Sequence, residues 1–101
     1  MILEIAAIDI LPDTHEQFEA AVRTAVETVL SPAPGFVSFE LRHGVERPDS
    51  YVLLIGWRSL EDHTVGFRES ESFVKWRELI GPFFAGAPQV DHWSEVFEAA
   101  R

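Results

Sequence analysis

The first third of the chain pairs a strand-like pattern with a helical one. Residues Ile2 to Leu11 are rich in β-branched side chains and stop at Pro12-Asp13, which predicts a strand followed by a turn. Asp13 or Thr14 then provides an N-cap for a helix, with Glu16 as the possible capping-box partner. Four apolar residues with helical spacing place one face of this helix in the core: Phe18, Val22, Ala25 and Val29.

Two strands follow, joined by a turn of hairpin length. Residues Phe36 to His43 alternate between apolar and polar side chains, which is typical of a half-exposed strand. Tyr51 to Trp57 is an apolar run, and the segment 46–50 between the two strands has the composition of a turn. We therefore predict an antiparallel pair.

The last third predicts a broken helix and a final strand. Ser59 begins the helix, Gly66 weakens it and Ser70 can restart it. The restarted helix should bury Phe73, Trp76 and Ile80 and stop at Gly81-Pro82. Val90 to Phe97 alternates loosely and is predicted as the last strand.

The order of these elements, βαββαβ, predicts a ferredoxin-like α+β fold. Its antiparallel sheet carries two helices on one face. A length of 101 residues suits a single domain, which we place over residues 1–101.

The first and third strands are apolar on both faces, although the helices can cover only one of them. On the first strand Leu3, Ile5 and Ala7 face one side and Ile2, Ala6 and Ile8 the other, and on the third strand Tyr51, Leu53 and Ile55 lie opposite Val52 and Leu54. Leaving the uncovered sheet face in water would forfeit many kcal/mol, at about 25 cal/mol per Å² of apolar surface. We therefore predict a homodimer that packs sheet against sheet about a two-fold axis.

Composition narrows the classes of partner and of chemistry. The chain has 8 basic and 17 acidic residues, a net charge of −9, which argues against nucleic acid and anionic membrane surfaces as partners. No apolar run reaches the roughly 20 residues of a membrane span and no signal peptide is evident, so we expect a cytoplasmic protein. The chain contains neither cysteine nor asparagine, so thiolate metal sites and cysteine nucleophiles are excluded.

The segment WRSLEDHTVGFRESESFVKW, residues 57 to 76, is the best candidate for a functional site. It gathers two tryptophans, two phenylalanines and His63 where a strand feeds a helix, a location at which such folds tend to bind ligands. Ordinary core packing also explains these aromatic residues, and an early helical histidine is more often structural than catalytic.

This passage resembles the antibiotic biosynthesis monooxygenase (ABM) family. The residues that carry the resemblance are Trp57, Ser59, Glu61 and His63, then Phe67-Arg68, Ser70, Phe73 and Trp76, with Pro34-Gly35-Phe36 and Gly81-Pro82-Phe83-Phe84 outside it. The resemblance implies a dimeric α/β barrel. Characterised members oxidise quinol-like or polyketide aromatics with oxygen and no prosthetic group, whereas relatives degrade haem or handle small signalling molecules.

The resemblance also assigns positions. Trp57 matches a pocket-lining tryptophan, and His63 occupies a position where members carry a polar or aromatic side chain. Some oxygenases of the family place an asparagine where this chain has Leu53, and haem-degrading relatives need one on the first strand, where this chain offers Ala6, Ala7 and Asp9. A chain without asparagine can copy neither arrangement, so haem degradation is not expected.

Oxygenation without a cofactor needs an apolar cleft, a base and a group that holds the substrate anion. Imidazole titrates near neutral pH, which favours His63 as the base beside Trp57. Arg58 or Arg68 can hold a phenolate. The predicted substrate-binding residues are Leu53, Arg58, Phe67, Arg68, Phe73, Trp76 and Phe83.

Three other interpretations remain. His43, His63, His92 and Asp91 are the available metal ligands, but their spacing directs no two imidazoles to one ion, so we predict no metal. The same cleft could bind a small apolar molecule without catalysis. Alternatively, the chain forms a structural dimer whose own aromatic side chains fill the cleft.

Overall fold

The computed structural model describes all 101 residues and confirms the predicted order of elements. Its strands are β1 (Ile2–Asp9), β2 (Phe36–His43), β3 (Ser50–Trp57) and β4 (Gln89–Ser94), and its α-helices are α1 (His15–Ala25) and α2 (Glu71–Ile80). A π-helical segment, Val26–Leu30, extends α1, a second one, Asp62–Phe67, precedes α2, and a 3₁₀ turn, Gly81–Phe83, follows α2.

The four strands form one antiparallel sheet in the order β2-β3-β1-β4. This is the arrangement expected of a ferredoxin-like α+β fold. The sheet does not close on itself within one chain, because β2 and β4 are both edge strands.

Alternation along the strands sends one row of side chains under the helices. The helix-facing row of β3 consists of Tyr51, Leu53, Ile55 and Trp57, all at most 3% exposed. The predicted face of α1 packs on this row, and its four residues are all buried. Helix α2 buries Trp76 and Ile80, while Phe73 is half-buried.

Two predictions about element boundaries are wrong and a third is confirmed. The capping box before α1 does not form: Thr14 is the N-cap residue, but its hydroxyl donates to the carbonyl of Leu11 at 2.6 Å. The prediction that the last strand reaches Phe97 is wrong, since β4 ends at Ser94 and Phe97 is exposed. Ser70 does cap α2, accepting a hydrogen bond from the Phe73 amide.

The opposite face of the sheet has no helix over it. Leu3, Ile5, Val52 and Leu54 are half-buried there, and the neighbouring Trp93 is 55% exposed. None of the helices has the length and apolar character that a membrane span requires.

Candidate functional site

A cavity of about 350 Å³ lies between the sheet and α2. Its size falls within the range of small-molecule sites, roughly 300–1,000 Å³. The sheet contributes Ala6, Ile8, Leu53, Ile55 and Val90, and the helical side contributes Phe67, Phe73, Trp76 and Ile80. The aromatic side chains therefore bound the cavity without filling it, contrary to the filled-dimer interpretation.

Acidic and basic side chains line this cavity at different depths. Glu4 is a buried wall residue, 6% exposed, whereas Arg68 and Arg77 line the cavity but are exposed to solvent. The Arg77 guanidinium lies over the Phe73 ring at 5.8 Å. An aromatic anion could thus place its rings inside and its charge near a cation.

Glu4 belongs to a hydrogen-bonded cluster at one end of the cavity. Its Oε1 accepts a hydrogen bond from Trp57 Nε1 at 2.9 Å and lies 3.3 Å from His63 Nε2. The other ring nitrogen of His63, Nδ1, lies 2.7 Å from His92 Nε2. The Trp57 and His63 rings stack, with centroids 5.3 Å apart and planes at 16°.

The strand register explains why these residues meet. Glu4 pairs with His92 across β1 and β4 and with Ile55 across β1 and β3, so its side chain points under the helices between them. His63 contacts Glu4 and His92 from the helical layer, since it lies on the π-helical segment Asp62–Phe67. Ser59 helps to begin that turn by accepting a hydrogen bond from the Asp62 amide at 3.2 Å.

Burial shifts the acid–base properties of the cluster. Desolvation raises the pKa of Glu4, although the Trp57 hydrogen bond and the charge of Arg68 oppose the shift. Desolvation also lowers the pKa of His63 to about 4, assisted by the charges of Arg68 and His92. The pKa of His92 is lowered as well, first by burial and then by Arg68, while Asp91 acts in the opposite direction.

Most of the predicted site residues line the cavity. His63, Leu53, Phe67, Arg68, Phe73 and Trp76 are brought together there. Trp57 is fully buried behind Glu4 and His63 and does not line the cavity, so its contacts are those of a positioning residue.

Two of the predicted binding residues lie elsewhere. Arg58 points outward, with its side chain 73% exposed and its Nε 3.8 Å from an Asp62 carboxylate oxygen. Phe83 packs edge-on against Phe18 at 6.0 Å, and the next residue, Phe84, lines the cavity in its place. Sequence position alone could not distinguish Arg58 from Arg68, because both flank the same helical segment.

Glu4 is the residue that sequence reasoning missed. The sequence of β1 is apolar on both faces apart from its last residue and Glu4, which stands in the same buried row as Ala6 and Ile8. A single carboxylate in a buried row is the signal that could have found it, since glutamate is almost never fully buried unless it is paired. His92 was considered only as a metal ligand, and no group of three acidic or histidine side chains is arranged to hold a metal ion.

Comparison with known proteins gives a consistent family assignment. The family model for antibiotic biosynthesis monooxygenases matches residues 1–79. The uncharacterized protein YczJ of Bacillus subtilis (strain 168) is 34% identical over 96 residues, which span 95% of this chain and 100% of that protein.

Two solved structures of proteins named for the same family are similar to this chain. The crystal structure of a Bordetella bronchiseptica protein bearing the same family name superposes with a TM-score of 0.90 at 38% identity, covering 95% of this chain and 97% of that one. One from Caulobacter crescentus, also named for the family, has a TM-score of 0.80 at 21% identity, covers 95% of this chain and 90% of that one, and shares the fold.

Proposed function

Since the chain belongs to the antibiotic biosynthesis monooxygenase family, we propose that it is a monooxygenase of a small quinol-like or polycyclic aromatic substrate that works without a prosthetic group. The observation that carries this proposal is the Glu4–His63 pair in the wall of a largely apolar, aromatic cavity. A buried acid–base pair in such a cavity is the arrangement expected at an active site.

The reaction divides the work between protein and substrate. The protein removes a proton from a phenolic O–H or an activated C–H, and the resulting anion passes one electron to molecular oxygen. The radical pair combines to a peroxide, which takes up a proton and loses water to leave a carbonyl. A methylene substrate thus follows CH₂ + O₂ → C=O + H₂O, and no external reductant is required.

Features of the cavity favour water exclusion, stabilisation of the substrate anion and packing of its rings. The apolar walls exclude water from the anion, which strengthens its attraction to nearby cations. Arg68 and Arg77 stand where the charged edge of the substrate would meet solvent. Leu53 and Ile55 form a flat apolar floor from β3 against which aromatic rings can pack.

Oxygen uptake tests the proposal. We expect the protein to accelerate oxygen consumption by dihydroxynaphthalenes or anthrone, and we expect His63→Ala to lose this turnover while still binding the compounds. Arg68→Ala should weaken turnover, whereas the matched control Arg58→Ala should not, because Arg58 lies outside the cavity. Binding without turnover in the parent protein would instead support a non-catalytic small-molecule module.

We also propose that the protein acts as a homodimer through the uncovered sheet face. Leu3, Ile5, Val52 and Leu54 form a continuous half-buried apolar surface beside the exposed Trp93 ring. A second copy packed about a two-fold axis would bury the same surface on both chains. Light scattering at micromolar concentration should give the mass of two chains, and a single-chain mass would contradict this.

A further inference from the structure

A continuous chain of three titratable side chains runs from the cavity to the edge of the sheet. Glu4 lines the cavity, His63 bridges it to His92, and His92 lies half-buried on the edge strand β4. The two contacts within this chain are 3.3 Å and 2.7 Å long. His92 uses Nε2 for its contact with His63, which leaves its Nδ1 free of any hydrogen bond from the protein.

The two oxygens of Glu4 have different surroundings. Trp57 Nε1 donates to Oε1, and His63 Nε2 lies 3.3 Å from the same oxygen, whereas Oε2 accepts no hydrogen bond from the protein. No fully buried side-chain nitrogen or oxygen lacks a partner, so Oε2 keeps some accessible surface. Because Glu4 lines the cavity, a substrate bound there could approach this oxygen.

His63 is less well placed to accept a proton from the substrate. Its Nδ1 lies within hydrogen-bond distance of His92 Nε2, at 2.7 Å, and its Nε2 lies 3.3 Å from the Glu4 carboxylate at the cavity wall. Its ring is also stacked on Trp57, which holds the imidazole in one orientation. A base must reach the proton that it removes, and in this cluster Glu4 Oε2 is the atom that is free to do so.

We propose, resting on the proposed function, that Glu4 is the base that takes the substrate proton, and that His63 and His92 form the relay that exchanges this proton with solvent. The inference follows from the free Oε2 of Glu4 and from the unbroken contacts that lead from Oε1 to the sheet edge.

The relay has two hydrogen-bonding states that differ by one proton. Before the reaction, Glu4 is ionised, His63 Nδ1–H donates to His92 Nε2 and His92 Nδ1 carries a proton. After Glu4 has taken the substrate proton, a half-turn of the carboxyl group presents its O–H to His63 Nε2. The Glu4 proton then passes to His63 Nε2, the His63 Nδ1 proton to His92 Nε2 and the His92 Nδ1 proton to water. Glu4 is ionised again, one proton has reached solvent, and neither the first nor the last state contains a buried imidazolium.

The acid–base shifts are compatible with this division of roles. Desolvation raises the pKa of Glu4, which makes its carboxylate a better proton acceptor near neutral pH. The lowered pKa of His63 keeps its imidazole neutral, which a relay through alternating donors and acceptors requires. Arg68 is the cation that acts on all three groups.

Proton exchange without oxygen tests the inference separately from oxygenation. In anaerobic heavy water, the protein should catalyse deuterium incorporation into the methylene group of anthrone, followed by NMR. We expect Glu4→Gln to lower this rate by roughly 10²-fold or more, the usual contribution of a general base. The matched control is Glu19→Gln, because Glu19 also accepts a hydrogen bond from an aromatic side chain, Tyr51, but lies outside the cavity.

A second variant tests the relay. Deuterium enters the methylene group of anthrone only if the proton taken by Glu4 exchanges with heavy water before a proton returns to the substrate. His92→Phe keeps a ring at the edge but interrupts the chain, so we expect most labelling to be lost while anthrone binding, followed by tryptophan fluorescence, is kept. Labelling at the parent rate in His92→Phe would overturn the relay.

The remaining outcomes separate the two proposals. Exchange that survives in Glu4→Gln but disappears in His63→Gln would overturn the assignment of Glu4, as would a parent protein that catalyses no exchange. If the parent exchanges protons but consumes no oxygen, the oxygenase proposal fails and the Glu4 relay stands. If the parent consumes oxygen and Glu4→Gln exchanges protons at the parent rate, the oxygenase proposal stands and the Glu4 relay fails.

Discussion

The two ends of β3 carry the same combination of side chains in different surroundings. At one end Tyr51 donates a hydrogen bond to Glu19 at 2.6 Å and stacks on His43, with centroids 4.5 Å apart and planes at 9°. At the other end Trp57 donates to Glu4 at 2.9 Å and stacks on His63. Each end therefore joins a buried aromatic side chain, a glutamate and a histidine.

Solvent access separates the two ends. Glu19 and His43 are exposed, whereas Glu4 and His63 are 6% and 3% exposed. The connections differ as well, since His43 Nε2 contacts the backbone carbonyl of Pro48 at 2.6 Å, which cannot pass on a proton. His63 instead contacts a second imidazole.

The comparison teaches that residue type alone does not make this site. At the Trp57 end the glutamate and the histidine are themselves buried, and desolvation shifts the pKa of both. At the Tyr51 end the buried member is the tyrosine, whose pKa is raised by burial and by Glu19. The Tyr51 end therefore serves as an internal control in which the glutamate and the histidine are exposed.

The largest expected difference concerns stability on removal of each aromatic donor. Trp57→Phe removes the N–H that stabilises a buried carboxylate and leaves a void, so the free energy of unfolding should fall by roughly 3 kcal/mol. Tyr51→Phe keeps the ring and frees an exposed glutamate that can turn to water, so its cost should be only about 1 kcal/mol. Urea denaturation of both variants at pH 7 measures the two values.

Equal costs at the two ends would contradict the role given to burial. A Trp57→Phe variant that also carries Glu4→Gln sharpens the test, because the carboxylate charge that lost its donor is then gone. The double variant should recover part of the loss, since the two groups are in direct contact and their effects should not add.

Much of the fold could be predicted because the amino-acid pattern records which side of each element is buried. The alternation from Phe36 to His43 defines β2 as the structure has it, and β3 begins only one residue earlier than predicted. The last strand was less predictable because apolar residues continue beyond its true end. Ser94 lies opposite Ile2, the first residue of β1, so Val96 and Phe97 have no neighbouring strand to pair with and are exposed.

Only part of the site could be predicted, because some of its residues are neighbours in sequence and others are brought together only by the sheet. His63 and the aromatic cavity wall follow one another in sequence, so a single segment revealed them. Glu4 and His92 lie at opposite ends of the chain and meet only through the register of β1 with β4. The π-helical segment that aims His63 downward adds a residue to its turn, a change that apolar spacing does not show.

A smaller effect is expected in the pH dependence of stability, where Glu4 and His63 oppose each other. The pKa of His63 is lowered to about 4, so between pH 4 and its ordinary value of about 6.5 the unfolded chain binds more protons, and stability rises with pH. The pKa of Glu4 is raised above 4.5, so just above that pH the folded chain binds more protons, and stability falls as pH rises.

Removing one group should expose the contribution of the other. Relative to the parent, Glu4→Gln should become more stable as pH rises from 4.5 to 6.5, whereas His63→Gln should become more stable as pH falls over the same range. Urea denaturation at several pH values measures both changes. For Glu4→Gln we expect the sign alone to be diagnostic, and for His63→Gln a relative change on the order of 1 kcal/mol or more. Differences that run in the same direction for both variants would show that desolvation does not control the two groups, and the contrast between the ends of β3 would then need another cause.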